Sequence, residues 1–210
     1  MLIHIRGLDM PAEKVATKVR REQIAQAALD LVATQGLKAL SVGTVARRVG
    51  LTPSGIYRHF KSKDDVLDAV QELIQGRLMD NVNAVREHTQ DAVEQLHQLL
   101  MRHVALIRQN QGIPRVIFSE DFYTDHPERR TRTYRSIRKY LDEVAAIIRQ
   151  GQENTQIKAD FAPETAAVMF LGLIQPSAIL WHMSGGQFDV TRQAERAWPI
   201  FSKAIRKQDQ

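Results

Sequence analysis

Residues 40–67 read LSVGTVARRVGLTPSGIYRHFKSKDDVL, and they are the most informative stretch of the chain. Apolar residues in its first half recur at the period of a helix: Val42, Val45, Ala46 and Val49. Ser41 is placed to cap that helix and Gly50 to end it. Thr52 and Pro53 then suit the cap and first position of a second short helix. Two short helices joined by a glycine-containing turn predict a helix-turn-helix.

The residues on either side of this stretch predict two longer helices. The first covers about residues 18–35, with Gly36 as its C-terminal cap. Its apolar stripe consists of Ile24, Ala27, Ala28, Leu31 and Val32. The other starts at Ser62, and Asp64 and Asp65 in its first turn complement the helix dipole. The chain therefore opens with three helices of decreasing length before a fourth begins.

The short third helix carries an unusual outer face. At about 100° per residue, Ile56 and Phe60 turn inward and polar side chains turn outward. Hydroxyl, phenol and cationic groups contact phosphates and base edges, and a glycine permits close approach to a duplex. The residues of these kinds are Thr52, Ser54, Gly55, Tyr57, Arg58, His59, Lys61 and Lys63. A solvated face would explain any one of them alone, whereas DNA binding explains them together.

The distribution of charge favours the same interpretation. The 210 residues contain 29 Lys and Arg against 24 Asp and Glu, which gives a net charge of +5. Residues 1–63 hold eleven basic and four acidic residues, a net charge of +7, and the remainder carries −2. A basic N-terminal third on a near-neutral body predicts a module that faces nucleic acid, attached to a second unit.

Composition excludes several other classes of protein. Apolar residues make up 43% of the chain and charged residues 25%, as in ordinary soluble domains. The absence of cysteine excludes disulfides, thiolate metal sites and cysteine catalysis. The longest apolar run, 166–174, is half a membrane span, and residues 1–11 do not form a secretory signal. A cytoplasmic protein without membrane association is therefore expected. No catalytic motif indicates an enzyme, and neither a metal nor a cofactor is predicted.

Residues 40–67 closely resemble the DNA-binding domain of TetR/AcrR-type transcriptional repressors. The resemblance runs from near Arg20 to near Ala69, and IYRHFKSK at 56–63 is its most specific part. It implies an all-α protein of about nine helices. The expected divisions are an N-terminal arm at 1–17, the helix-turn-helix domain at 18–63, and a ligand-binding and dimerisation domain at 64–210.

The resemblance also implies roles for individual positions. Tyr57, His59 and Lys63 match residues that family members use on the phosphate backbone, and Thr44 matches a frequent backbone contact. The segment that approaches bases in relatives corresponds to Thr52, Pro53, Ser54 and Gly55. Gly43 departs from the pattern, because many relatives carry a longer side chain there that points at DNA. Base reading is therefore expected to fall on the third helix.

The remainder of the chain reads as helical throughout. Helices are expected at about 62–86, 91–108, 116–122, 127–151, 163–184 and 190–207. The helix at 127–151 carries a basic side that is expected to be solvated: Arg129, Arg130, Arg132, Arg135 and Arg138. The helix at 163–184 is apolar all round at 168–174, which is typical of burial on every side, with one face against its own core and the other against a second subunit. Pro176 predicts a kink in this helix.

The resemblance implies that the last two helices pair with their symmetry mates as a dimer interface. The residues expected at that interface are Gly172, Ser177, Ala178, Ala194, Trp198 and Phe201. The helices between 64 and 184 are expected to enclose a pocket for a largely apolar small-molecule effector, as in relatives. Candidate lining residues are Phe118, Phe122, Tyr123, Tyr134, Phe170, Ile174 and Trp181, with His97, His103 and Gln175 as polar groups. Ordinary core packing is the competing interpretation for each aromatic.

Two functions are consistent with these motifs and this resemblance. The first is a homodimeric repressor that binds a palindromic double-stranded DNA operator and is released by the small-molecule effector. The alternative is a DNA-associated adaptor of the same fold, whose second domain binds a protein partner in place of a ligand. A sealed and well-packed second domain would favour the adaptor.

Overall fold

The structure, a computed structural model, describes residues 12–124 and 126–207, with side chains from residue 16 onward. Eleven α-helical segments and one 3-10 turn follow one another in these ranges. The pairing of Ile157 with Arg206 is an isolated bridge, and no strand occurs in the described ranges. The all-α expectation is confirmed. Residues 1–11 of the expected arm at 1–17 lie outside the described residues, and residues 12–17 are helical, so the first helix begins earlier than the expected residue 18.

Four helices form the N-terminal region, and their caps lie where the sequence predicts them. They are α1 (Ala12–Gln35), α2 (Val42–Arg48), α3 (Pro53–Tyr57) and α4 (Lys63–His88). Ser41 and Thr44 close a reciprocal capping box at the start of α2. The Thr52 hydroxyl accepts a hydrogen bond from the Gly55 amide at 3.2 Å and caps α3. Each cap satisfies an amide that a helix start leaves without a partner, which fixes where these short helices begin.

A first core holds these four helices together. It includes Ile24, Ala28, Val45, Ile56 and Phe60, all of which are buried. Residues from further along the chain complete it: Leu106, Ile113, Val116 and Phe122. The helix-turn-helix is therefore packed directly on the following part of the molecule.

Seven further helical segments build the rest. They are α5 (Ala92–Gln109), α6 (Gly112–Ile117), α7 (Glu120–Tyr123), α8 (Pro127–Glu153), α9 (Pro163–Gly172), α10 (Gln175–Met183) and α11 (Val190–Ile205). A second core joins α5, α8, α9, α10 and α11, with Leu96, Leu100, Val144, Ile148 and Phe170 fully buried at its centre. Helix α4 contributes to both cores, through Val66 and Val70 near its start and Val82 and Val85 near its end.

The helix expected at 163–184 is broken into α9 and α10, and the one expected at 116–122 is divided between α6 and α7. These two breaks account for eleven segments in place of nine. Pro176 lies in the first turn of α10, because its ring clashes with a carbonyl four residues back in a continuous helix. Within the single chain, only one side of 168–174 is buried, and Val168 and Met169 on the other side are exposed. The segment Pro163–Met183 has the length and hydropathy of a membrane span, but the break interrupts it and its inner face belongs to the core.

Candidate nucleic-acid interface and interior cavity

Helix α3 buries one face and opens the other to solvent. Ile56 and Phe60 are 0% and 1% exposed, so the predicted inward face is confirmed. The open side carries Thr52, Pro53, Ser54, Tyr57 and Arg58, all of them exposed. The Tyr57 side chain is 56% exposed, a large fraction for an aromatic residue. The arrangement presents one phenol, one guanidinium and two hydroxyls on a single short surface.

Gly55 lies in the middle of this surface. A methyl group placed there would meet Leu51 and Thr52 at 3.5 Å, which is ordinary van der Waals contact. Its backbone is helical, so neither packing nor conformation requires glycine. The missing side chain leaves the backbone of α3 open to close approach from outside.

The remaining predicted contacts lie around the two ends of the helix-turn-helix. Lys61 is exposed, and Lys63 is half-buried as the first residue of α4. The Thr44 hydroxyl is occupied in the capping box, where it also donates to the Ser41 carbonyl at 2.9 Å. His59 is half-buried, and its Nδ1 atom is buried without a hydrogen-bond partner among the described residues.

Sequence reasoning missed Arg21, which positions the end of this surface. Its guanidinium lies 4.1 Å from the centre of the Phe60 ring and donates a hydrogen bond to the His59 carbonyl. Such a cation–π contact adds to the packing of the buried Phe60 ring. Arg21 therefore ties α1 to the turn between α3 and α4. Its only signal in the sequence is membership of the basic N-terminal third.

A second feature is an interior cavity of about 110 Å³ that is partly open to the surface and lies between α4, α5, α6, α8 and the α9–α10 break. Four of the ten predicted ligand-binding residues line it: His103, Phe118, Ile174 and Gln175. Polar side chains that sequence reasoning missed also line it: Gln71, Gln75, Thr133, Ser136 and Tyr140. Gln71 lies between the buried Val70 and Ile74, and a polar residue within an apolar stripe is the signal that could have found it.

The other six predicted lining residues lie elsewhere. His97 stacks on Trp198 with ring centres 5.0 Å apart, and Tyr134 is 64% exposed. The first core takes up Phe122 and Tyr123, and the second takes up Phe170 and Trp181. The competing interpretation of core packing therefore describes these four aromatics.

His103 and Tyr140 form a neutral pair on the cavity wall. The His103 Nδ1 atom lies 3.0 Å from the Tyr140 hydroxyl oxygen. Burial lowers the pKa of His103 to about 4 and raises the pKa of Tyr140 above its usual value. Desolvation penalises the charged form of each group, so both are uncharged at neutral pH.

Arg129 joins the cavity region to the start of α4. The expectation that this arginine is solvated is wrong, because its side chain is 1% exposed. Its guanidinium donates to an Asp68 carboxylate oxygen at 2.9 Å, to the Phe122 carbonyl at 3.0 Å and to Asp64 at 3.3 Å. Gln71 donates to the Arg129 carbonyl and to Thr133, so the cluster continues into the cavity wall. One network thus links the helix that begins at Lys63 with α8.

An exposed apolar surface covers the outer side of α9, α10 and α11. Its members, which we call the apolar face, are Val168, Met169, Ile179, Leu180, Met183 and Ile200. Of the six residues predicted at the dimer interface, only Gly172 is exposed on this side. The other five lie on the side of α10 and α11 that packs into the core. Four of them are buried (Ser177, Ala178, Ala194 and Phe201), and Trp198 is half-buried.

Metal-ligating residues do not gather in the described part of the chain. No group of three or more His, Asp or Glu side chains there is arranged to hold a metal ion.

A helix-turn-helix with an open polar face, packed on a larger helical unit, defines a DNA-binding transcriptional regulator. The chain belongs to the TetR family. Residues 24–70 match the model of bacterial regulatory proteins of the tetR family, and residues 89–205 match the tetracyclin repressor-like C-terminal domain. Proteins of this family are soluble DNA-binding regulators.

Individual relatives are distant but match over almost the whole chain. The nucleoid occlusion factor SlmA of Vibrio vulnificus is 22% identical over 188 residues, 89% of this chain and 96% of SlmA. The fatty acid degradation regulator FadR of Bacillus halodurans has a TM-score of 0.75 at 21% identity, covering 87% of this chain and 94% of FadR. FadR of Bacillus subtilis in complex with stearoyl-CoA has a TM-score of 0.72 at 20% identity, covering 87% and 98%.

Proposed function

We propose that the protein is a homodimeric repressor that binds a palindromic operator and leaves it when a small molecule enters the interior cavity. The observation that carries the proposal is the open face of α3, where Thr52, Ser54, Tyr57 and Arg58 are exposed around Gly55. Hydroxyls and backbone amides at a helix start suit phosphates and base edges, and Arg58 suits a phosphate or a guanine edge.

The apolar face supports the dimeric part of the proposal. Its six side chains are each at least 39% exposed, including Met183 at 78% and Ile200 at 76%. Exposed apolar side chains on three successive helices favour an interaction site, and a second copy of the chain offers a matching surface through a two-fold axis. A two-fold dimer presents two α3 helices to successive major grooves about 34–36 Å apart.

The position of α4 between the cavity and α3 supports the part of the proposal in which a small molecule releases the operator. Gln71, Ile74, Gln75 and Leu78 of α4 line the cavity, and the same helix begins at Lys63 beside α3. A ligand that binds one position of α4 better than another shifts the equilibrium between them. The separation of the two α3 helices then changes with the position of α4, and operator affinity changes with it.

The first prediction concerns the DNA contacts. Lys63→Ala and Tyr57→Phe should each weaken operator binding, because each removes a donor to a phosphate. Lys63→Ala should also reduce the slope of log affinity against log salt by about 0.9, the release of one counterion. Fluorescence anisotropy with a labelled operator duplex, titrated at several salt concentrations, measures both quantities.

Two further variants make this test specific. Lys139→Ala removes the same charge from an exposed position on α8 and should leave the salt slope unchanged. Gly55→Ala should be tolerated by the fold, since its methyl group meets only ordinary contacts, yet weaken operator binding through a lost close approach. Unchanged affinity in Lys63→Ala, Tyr57→Phe and Gly55→Ala together would reject this contact surface.

The second prediction concerns the apolar face. Leu180→Glu combined with Met183→Glu should convert the dimer to monomer, because the interface would bury two unpaired carboxylates on each side. Sedimentation velocity at micromolar concentration measures the change. Val19→Glu, which alters an apolar side chain 47% exposed on α1, is the matched control and should leave the mass unchanged. If the double variant still sediments as a dimer, the interface does not include Leu180 and Met183 and lies elsewhere on the chain.

The alternative function is a DNA-associated adaptor whose second domain binds a protein. The relatives named nucleoid occlusion factor SlmA favour it, since they match nearly the whole chain. The small volume of the cavity favours it as well, because typical ligand pockets occupy about 300–1,000 Å³. An operator complex that no small molecule dissociates, and that a protein partner joins, would support the adaptor.

A further inference from the structure

The walls of the interior cavity carry no charge. Eighteen of the described residues line it, and none of them is Asp, Glu, Lys or Arg. The one lining residue whose ordinary pKa lies near neutral pH is His103, and burial lowers its pKa to about 4. Arg129 is the cation next to Gln71, but it does not line the cavity. Its guanidinium is directed to Asp68, Asp64 and the Phe122 carbonyl. A charged group inside the cavity would therefore lose its hydration without gaining an opposite charge.

The cavity nevertheless offers hydrogen bonds. Gln71 uses its Nε2 group on Thr133 and the Arg129 carbonyl, which leaves its Oε1 atom without a partner among the described residues. Ser136 donates to Gln75 Oε1 at 2.9 Å, which leaves the Gln75 Nε2 group free to donate. The His103 Nδ1 atom and the Tyr140 hydroxyl form a hydrogen bond with each other at 3.0 Å, and the tautomer of the ring decides which of them donates. One acceptor, Gln71 Oε1, and one donor, Gln75 Nε2, are therefore available to a neutral polar group.

The size of the cavity sets a further limit. Its volume of about 110 Å³ is somewhat smaller than the roughly 150 Å³ of an engineered apolar cavity that binds benzene. Apolar side chains form most of the wall, among them Ile74, Ile107, Ile137 and Ile174. A single small ring or a short chain fits this space.

From the uncharged walls, the free donor and acceptor and the volume, we infer that the effector is a small, uncharged, mainly apolar molecule with one neutral polar group, such as an alcohol, phenol or amide. The inference rests on the proposed function, in which a ligand of this cavity releases the operator. The inference goes beyond the proposed function because it names the chemical class of that ligand and excludes carboxylates, phosphates and ammonium compounds.

Binding to matched probes tests the chemical class directly. The full-length protein is titrated by calorimetry with benzyl alcohol, benzoate and benzylammonium, and then with butan-1-ol, butyrate and butylammonium. Within each set the carbon skeleton stays nearly constant while the charge changes. We expect the two alcohols to bind about tenfold or more tightly than their charged counterparts, because only the charged probes lose hydration without compensation.

Cavity-filling variants locate the binding. Ala178→Leu places a larger side chain in the cavity and should abolish alcohol binding, and Ser136→Val serves where Ala178→Leu fails to fold. Ala204→Leu, on the exposed side of α11, is the matched control and should bind like the unaltered protein. Charged probes that bind as tightly as the alcohols would overturn the inference. Alcohol binding that survives in the filled variant, or no binding by any probe, would overturn it too.

A separate measurement tests the proposed function, in which a ligand releases the operator. Anisotropy of a protein–operator complex is followed while each of the six probes is added. If alcohols bind in the cavity and the complex stays intact, the chemical class stands and the effector-released repressor fails. If charged probes alone dissociate the complex, the repressor stands and the inference about chemical class fails.

Discussion

Replacing Arg129 with alanine is expected to lower the free energy of unfolding by about 3 kcal/mol. Breaking a buried ion pair typically costs about 3–5 kcal/mol. The lower end applies because Asp64 remains partly exposed to water and Arg132 still pairs with Asp68. The substitution also removes the guanidinium 4.9 Å from the centre of the Phe122 ring and leaves the Phe122 carbonyl without its donor. Thermal unfolding followed by circular dichroism should show a decrease in Tm of about 6–12 °C.

The neighbouring arginine supplies the control. Arg130 has the same chemistry, but it is 68% exposed and its ion pair with Glu120 spans 3.9 Å in solvent. Exposed pairs of this kind contribute about 0–1 kcal/mol, so Arg130→Ala should change Tm little. Equal effects of the two substitutions would show that the network between α4 and α8 has no special role in stability.

The second large effect is a change in the pH dependence of stability. His103 has a folded-state pKa of about 4, below its unfolded value of about 6.5, so the unfolded chain binds the extra proton first. The stability that comes from keeping His103 neutral is therefore fully present above about pH 6.5 and is lost as the pH falls towards 4. The loss amounts to roughly 3 kcal/mol between pH 7 and pH 4. His103→Gln keeps a polar partner for Tyr140 but cannot titrate, so its unfolding free energy should fall less steeply.

Urea denaturation at half-unit steps from pH 4 to pH 7 measures the difference between the two proteins. His88→Gln, at an exposed position near the end of α4, is the control and should follow the unaltered protein. Parallel curves for the unaltered protein and His103→Gln would show that His103 is not kept neutral by burial, and would remove one support for an uncharged cavity.

The helix-turn-helix is predictable because its signals are local. Ser41, Thr52 and Ser62 each accept a bond from an amide three residues on, so the caps and the positions of α2, α3 and α4 are specified within a few residues. The burial of Ile56 and Phe60 follows from helical spacing alone. Family resemblance then supplies a function for the opposite face, which spacing by itself does not determine.

The cavity is harder to predict because its wall is assembled from distant segments. Gln71 meets Thr133 across 62 residues, and His103 meets Tyr140 across 37. Aromatic content is a poor guide, since Phe122 and Phe170 fill the two cores while uncharged polar residues line the space. Arg129 resembles its exposed neighbours in sequence, and only the approach of Asp64 and Asp68 from α4 explains its burial.

The apolar face shows a related limit. Helical periodicity identifies two apolar stripes on a helix that is apolar all round, but not which of them turns inward. Ala178 and Phe201, which the sequence places at the interface, are buried, while Leu180 and Met183 are exposed. Neighbouring helices decide the rotation, and they are specified elsewhere in the chain.

Sequence-specific binding of a palindrome by a dimer can be measured by selecting bound duplexes from a random DNA pool at physiological salt. We expect enrichment of a palindrome whose half-sites lie about one to one and a half helical turns apart, as two α3 helices related by a two-fold axis require. Enrichment of no sequence, with binding that depends only on salt, would contradict the proposed function, because the basic N-terminal region would then hold DNA without reading it.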